Sequence, residues 1–274
     1  MKKIDPLLLH NFTETVWEFY KRNKRGFVWR KNITGYRILV SEIMLQQTQV
    51  ERISMRFPQF LNKFPTLQNL AEASLADVLT EWQGLGYNRR GKFLWESANK
   101  LITEYDGNIP TDPELLTTFP GIGINTAGSI IAFAHNLPVV FIETNIRRVF
   151  IHHFFSDELE VNDKDILPLI AATVDEENAR EWYWALMDYG TYLKKAFPNA
   201  NRRSKHYTKQ SEFEGSNRQV RATILRFILA SKKPVSFQDI QQQFQKDETR
   251  IEQNLTALEK EGMIVKKGDK WFFE

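Results

Sequence analysis

The sequence contains no cysteine. That absence excludes disulfides, thiolate nucleophiles, thiolate zinc sites and cysteine-held iron–sulfur clusters. Long apolar runs are lacking too, since none approaches the roughly 18 residues that a membrane span requires. The amino terminus, Met1-Lys2-Lys3-Ile4-Asp5, turns polar too early for a signal peptide, so the expectation is an intracellular, cytoplasmic protein with no membrane partner. There is no internal repeat or low-complexity tract, and the net charge of +3 is too small to name a partner. What is present, 274 residues with 42% apolar and 26% charged side chains, suits one large globular domain or a core with a small appendage.

The charge is uneven. Six cations (Lys194, Lys195, Arg202, Arg203, Lys205, Lys209) and no acid lie between Asp188 and Glu212. Alone, such a run reads equally as a solvated loop or as a contact to a phosphate backbone.

Apolar spacing of three and four residues predicts helices over Leu7–Arg22, Ile33–Val50, Arg52–Phe64, Thr66–Ala71, Ser74–Gln83, Asn88–Glu104, Asp112–Thr117, Asn125–Ala134, Thr144–Phe154, Ile166–Val174 and Ala179–Leu193. Composition changes after Leu193, and residues 199–216 read as a basic loop. Beyond it, helices over Arg218–Ser231, Ser236–Phe244 and Asp247–Glu261 precede two short strands, Met263–Val265 and Lys270–Phe273, joined by Lys267-Gly268-Asp269. Three helices ending in a β-hairpin describe a winged helix-turn-helix, a module that contacts DNA or another protein.

Three segments could carry chemistry. In Ser41–Val50, a helix would put Glu42 on one face with Gln46 and Gln49, a pattern that fits either a solvent face or hydrogen bonding to base edges. The hairpin Phe119-Pro120-Gly121-Ile122-Gly123 runs into a helix at Asn125-Thr126-Ala127-Gly128. Its glycines permit positive φ and close approach to a phosphate, or to a monovalent cation, although Pro-Gly-x-Gly is also a common turn. Glu143-Thr144-Asn145 opens a helix that continues through Arg148, where an acid is ordinarily a cap. Together, exposed amides for a phosphate and two carboxylates suggest chemistry on a nucleic acid.

In Trp29-Arg30, Ser41–Val50, Trp82-Gln83-Gly84-Leu85-Gly86-Tyr87, Phe119–Gly123 with Thr126-Ala127-Gly128, Asn145 with Arg148-Val149, and Met187-Asp188-Tyr189-Gly190, the chain resembles the helix-hairpin-helix base-excision DNA glycosylases, most closely the MutY-type adenine DNA glycosylases. The resemblance implies an all-α, two-lobed core over 1–212, with lobe one at about 31–140, lobe two at about 1–30 and 141–198, and the loop 199–216. The small winged helix covers 217–274. It further implies hydrolysis of the N-glycosidic bond of a base flipped out of damaged or mismatched duplex DNA, with adenine opposite guanine or 8-oxoguanine first among the candidates. Alternatives are another base (thymine or uracil opposite guanine, or a deaminated or alkylated purine) and, from another class, a non-catalytic DNA-binding regulator using the winged helix. By the resemblance, Glu42 is the general acid and Glu143 the carboxylate that stabilises the sugar cation and orders the attacking water. Gln46, Gln47 and Tyr87 enter the duplex. Gly121, Gly123, Asn125, Thr126, Asn145 and Arg148 complete the DNA-binding set, and Trp29 stands near the base pocket. Breaking such a bond requires the two carboxylates in opposite protonation states, and helix-end amides are expected to keep Glu143 ionised.

The chain departs from the family pattern at four places. Glu143 stands for an aspartate, and Thr144 for the glycine after it. Asn125 replaces the lysine that gives endonuclease III its Schiff base, which implies a monofunctional enzyme. The four cluster cysteines are missing, with Lys194 near the first, so no iron–sulfur cofactor is expected. The winged helix stands where a Nudix-like domain would read 8-oxoguanine. The implied location is cytoplasmic, at the nucleoid.

Overall fold

The computed structural model describes residues 5–208, 212–231, 233–244 and 248–273. The N-terminal residues Met1–Ile4, Lys209 of the basic run and Asp247, the expected start of the last helix, lie outside the described residues. In chain order the helices are α1 (Pro6–Asn23), α2 (Gly35–Leu45), α3 (Val50–Lys63), α4 (Leu67–Glu72), α5 (Leu75–Glu81), α6 (Arg89–Glu104) and α7 (Pro113–Thr117). There follow α8 (Ile124–His135), α9 (Thr144–Phe154), α10 (Asp163–Thr173), α11 (Ala179–Ala196), α12 (Asn217–Ala230), α13 (Phe237–Gln241) and α14 (Glu248–Lys260). Among the described residues, no helix is long and apolar enough to cross a membrane.

The chain forms two compact units. The first comprises Met1–Ile38, Pro110–Thr118 and Ile122–Lys209. Its core joins Phe12, Val16 and Tyr20 of α1 to Ile146, Val149 and Phe150 of α9 and to Trp182, Tyr183 and Trp184 of α11. Large side chains buried in this way each contribute roughly 1.5–3 kcal/mol. Local signals start the helices: the Asp5 carboxylate accepts from Leu7 N ahead of Pro6 at the first position of α1. Asn136, with φ 59°, ends α8 in the left-handed conformation.

The second unit comprises Leu39–Ile109, Phe119–Gly121 and Gln210–Glu274. Here the C-terminal module shares a core with the helices of residues 39–109, because Leu79 of α5 is buried among Ile224 and Leu225 of α12, Ile251 and Leu255 of α14, and Trp271. The module is a winged helix with one strand more than the sequence suggests. Strands β1 (Val235–Ser236), β2 (Val265–Lys267) and β3 (Lys270–Phe272) form an antiparallel sheet in the order β1-β3-β2, with Val235 opposite Trp271 and Lys266 opposite the same residue. The second helix of the module is shorter than expected, ending at Gln241, and opens with a capping box between Ser236 and Asp239.

The helix expected over Ile33–Val50 spans only Gly35–Leu45, and the one expected over Arg52–Phe64 starts two residues early as α3. α2 stops at Leu45, Gln47 takes a left-handed φ of 52°, and α3 begins at Val50 behind Gln49. The cause lies forty residues away. Arg90, 7% exposed, donates from Nη1 to the carbonyls of Ile43 (2.7 Å) and Met44 (2.9 Å), taking up acceptors at the carboxyl end of α2. Glu42, Gln46 and Gln49 therefore do not share one helical face.

Candidate functional site

In the second unit, Glu42 sits in α2, partly buried beside the fully buried Ser41, Ile43 and Met44. Past the helix end, Gln46 donates from Nε2 to the Gly121 carbonyl at 3.1 Å, so this glutamine fastens the turn after α2 to the hairpin. Gly121 has a φ of +73°, and a Cβ there would lie 2.5 Å from the Phe93 ring, so both backbone and space require glycine. Gly123 does not share the left-handed geometry. It is extended, with φ −88° and ψ 171°, and serves as the N-cap of α8 in open space.

Gln47 is exposed, and Tyr87 also has a left-handed φ of 45°. Arg90 ties the loops that carry them, its Nη2 donating to Thr48 Oγ1 (2.8 Å) and to the carbonyls of Leu85 and Gly86 (both 3.2 Å). Burial lowers the Arg90 pKa to about 10, which leaves it protonated at neutral pH. The Tyr87 hydroxyl accepts from Arg218 Nη1 of α12 at 2.8 Å, and that guanidinium lies 5.0 Å from the tyrosine ring centroid.

In the first unit, Glu143 is the N-cap of α9. One oxygen, Oε1, accepts from the backbone amides of Asn145 (2.8 Å) and Ile146 (3.2 Å), and Oε2 from the Asn145 side-chain amide (3.5 Å). Desolvation is the dominant influence and raises the pKa of this carboxyl; the two amides, Arg148 and the Asn145 side chain oppose it without cancelling it. The helix-end amides stand where the sequence puts them, and they favour the charged form of Glu143 against the burial that opposes it. Arg148, expected at the DNA, is 3% exposed and engaged within the protein. It donates to Asn145 Oδ1 (2.7 Å), the Gly190 carbonyl (2.9 Å) and Asn199 Oδ1 (3.2 Å), and so holds Asn145 beneath Glu143. Gly190 permits this approach, because a Cβ there would fall 2.5 Å from the Asn145 carbonyl oxygen.

Asn125 is exposed at the start of α8, and its Oδ1 accepts from Ile142 N at 3.2 Å, linking that helix to the segment leading into Glu143. Thr126, next to it, is partly buried. Trp29 is buried in a short 3₁₀ turn and stacks on Phe27, with ring centroids 4.6 Å apart and planes 11° from parallel. Asp188 anchors this segment: buried to 2% exposure, it accepts from Arg25 Nε (2.7 Å) and from both terminal nitrogens of Arg30 (2.9 Å each).

The basic run divides. Lys194, Lys195 and Arg202 are exposed, and Lys205 pairs with Glu160 at 2.6 Å. Arg203 turns inward to the carbonyls of Phe155, Ser156 (3.0 Å), Glu158 (3.1 Å) and Ile151 (3.3 Å). Asn201 is buried and donates to the Thr144 carbonyl at 2.8 Å. Among the described residues no cluster of three His, Cys, Asp or Glu side chains could hold a metal ion. Sequence reasoning missed Arg90, Arg218 and Asp188 as site residues. The local signals were the nearness of Arg90 to Tyr87 and the place of Asp188 within Met187-Asp188-Tyr189-Gly190, whereas the partners of Arg218 and Asp188 lie more than 120 residues away.

A family model described as HhH-GPD superfamily base excision DNA repair protein matches residues 40–167. Adenine DNA glycosylase of Mycobacterium tuberculosis (strain CDC 1551 / Oshkosh) is 30% identical over 277 residues, covering 92% of this chain and 89% of that protein. The enzyme of the same name from Mycolicibacterium smegmatis is 30% identical, with 92% of each chain covered. Among solved structures, a thermostable thymine-DNA glycosylase superposes with a TM-score of 0.61 at 22% identity, covering 67% of this chain and 86% of its own.

Proposed function

The chain belongs to the HhH-GPD superfamily of base excision DNA repair proteins, and from that membership we propose that it is a monofunctional glycosylase removing adenine from duplex DNA where it faces guanine or 8-oxoguanine. The observation that carries the reading is Glu143, a desolvated carboxylate fixed by two helix-end amides and by an asparagine that Arg148 holds in turn.

Hydrolysis breaks the bond between C1′ of the sugar and the purine nitrogen. Glu42 delivers a proton to the adenine ring, so the bonding electron pair leaves with a neutral base. The sugar develops oxocarbenium character, which the ionised Glu143 stabilises, and a water then adds to C1′ while its proton passes to Glu143. A carboxylate whose pKa is raised is a stronger base for that last transfer. Trp29, in the turn whose Arg30 is bonded to Asp188, is the residue we assign to the flipped base. Asn125 carries no amine for a Schiff base and uses its oxygen on Ile142 N, which supports hydrolysis without strand cleavage.

The reading involves no iron–sulfur cluster. No thiolate exists to hold one, and the segment after α11, where family members bind it, is pinned by Asn201 and Arg203 instead. The test is a panel of duplexes, each with one lesion or mismatch, treated with protein and then with or without hot alkali. Breaks only after alkali, in the adenine duplexes, are expected. Breaks in another duplex would reassign the base, and none anywhere would overturn the enzyme.

A further inference from the structure

The strand order β1-β3-β2 leaves β2 at an edge of the small sheet in the second unit. The two-residue turn Gly268-Asp269 sets Lys267 opposite Lys270, so Lys266, one position along, belongs to a pair whose backbones do not bond to one another. The amide and carbonyl of Lys266 therefore point away from β3, where a further strand would meet them. Beside this edge, between β2 and helices α5 and α6, lies a groove of about 380 Å³. Six of its ten lining residues are apolar (Leu75, Trp95, Met263, Ile264, Val265 and Phe273), and none of the ten is among those assigned to the DNA.

The polar side chains of the groove are already engaged. Lys92 Nζ donates to the Glu261 carbonyl (2.7 Å) and pairs with Glu96 (3.0 Å), Trp95 Nε1 donates to the Ala73 carbonyl (2.9 Å), and Ser74 Oγ to Asp77 (2.7 Å). What the groove offers a visitor is an apolar wall, which suits a hydrophobic side chain and gives a phosphate nothing to bond. The edge, in contrast, is basic. Lys266 and Lys267 of β2 are exposed, and Lys267 stands directly opposite Lys270, an unfavourable pair that an anionic neighbour would relieve. A second copy of this chain meeting β2 edge to edge would set lysine against lysine.

We infer that the β2 edge and the groove beside it form a docking site for an extended, acidic segment of another protein. The segment adds a strand to β2 through the outward amide and carbonyl of Lys266, seats its apolar side chains against Trp95, Val265 and Phe273, and brings carboxylates to Lys266 and Lys267. Alternation of apolar and acidic residues is the pattern such a strand requires, since successive side chains face opposite ways. The winged helix is then a protein-binding module on this side.

The experiment uses the full chain and a short fluorescein-labelled peptide that alternates glutamate with valine and phenylalanine, with affinity read by anisotropy. None of its readouts depends on base removal, so they stand or fall apart from the glycosylase reading. The peptide is expected to bind saturably and to slow hydrogen exchange at the Lys266 amide. The same peptide with lysine for glutamate, or with a proline at its centre, is expected to bind at least about tenfold more weakly. Lys266→Gln and Lys267→Gln, at exposed positions, are each expected to weaken the glutamate peptide by roughly threefold. Lys266→Pro also removes the outward amide, which β3 does not use, and is expected to weaken it by about tenfold. No saturable binding, equal affinity for the glutamate and lysine peptides, or protection that misses Lys266 would overturn the proposal. So would a self-association in sedimentation that Lys266→Pro abolishes, which would give the edge to a second copy. Competition by duplex DNA, with DNA affinity lowered by both glutamine variants, would give the lysines to a phosphate backbone instead. Should Lys266→Pro fail to fold, the proline-containing peptide on the native chain decides the same point.

Discussion

A carboxylate desolvated at a helix end is a weaker acid than one in water, and Glu143 is in that position, buried with one oxygen on the amides of Asn145 and Ile146. The folded state therefore carries a penalty for its charge. Glu143→Gln keeps an oxygen for both amides and removes that penalty, so it is expected to stabilise the protein by about 0.5–2 kcal/mol in urea melts at pH 8. It should lower single-turnover excision by at least about 100-fold. The sign with pH is fixed: a raised folded pKa means the native protein binds this proton more readily than the unfolded chain. The wild-type deficit is thus complete above the raised pKa and closes as pH falls toward the ordinary value of 4.5. Melts of both proteins from pH 8 to 4.5 check it; a gap that widens on acidification would be contrary. Activity moves the other way, since the reaction needs Glu143 ionised, and the acid limb of the rate profile should lie above the usual carboxylate range.

Helices fixed by their own sequence were legible, and those fixed from a distance were not. Glu143 as a cap and the glycine turn between β2 and β3 follow from residues within a few positions. The break after Leu45 does not, because periodicity over Ile33–Val50 carries no trace of a guanidinium from α6. Strand β1 has only two residues, too few to show alternation. The inward turn of Arg148 was equally hidden, since its partners Gly190 and Asn199 lie more than forty residues along. The same reasoning singles out Asp188, which holds the segment between α1 and α2 through two arginines. Asp188→Ala leaves both guanidiniums without that carboxylate, Arg30 being 5% exposed at its side chain, and is expected to cost about 3–5 kcal/mol. Urea denaturation followed by tryptophan fluorescence measures it; a loss under about 1 kcal/mol would contradict the anchor.

At the scale of the molecule, the sequence divides at residue 217, whereas the structure places α12–α14 in one unit with residues 39–109. A boundary drawn from composition cannot register that Leu79 is a core residue of the winged helix. The expected consequence is a single transition: hydrogen exchange should show α5 and α12 opening together, and Leu79→Ala, at a cost of about 2–5 kcal/mol, should speed exchange in both. Exchange confined to α5 would separate them. The shared core also sets a timetable for synthesis on the ribosome. Leu79 emerges well over a hundred residues before Ile224 and Leu225, an interval on the order of ten seconds at ordinary elongation rates. During that interval the Leu79 face of α5 lacks its partners from α12 and α14, so the nascent chain presents an apolar face that a holdase or a slow codon stretch would have to manage until those helices are made.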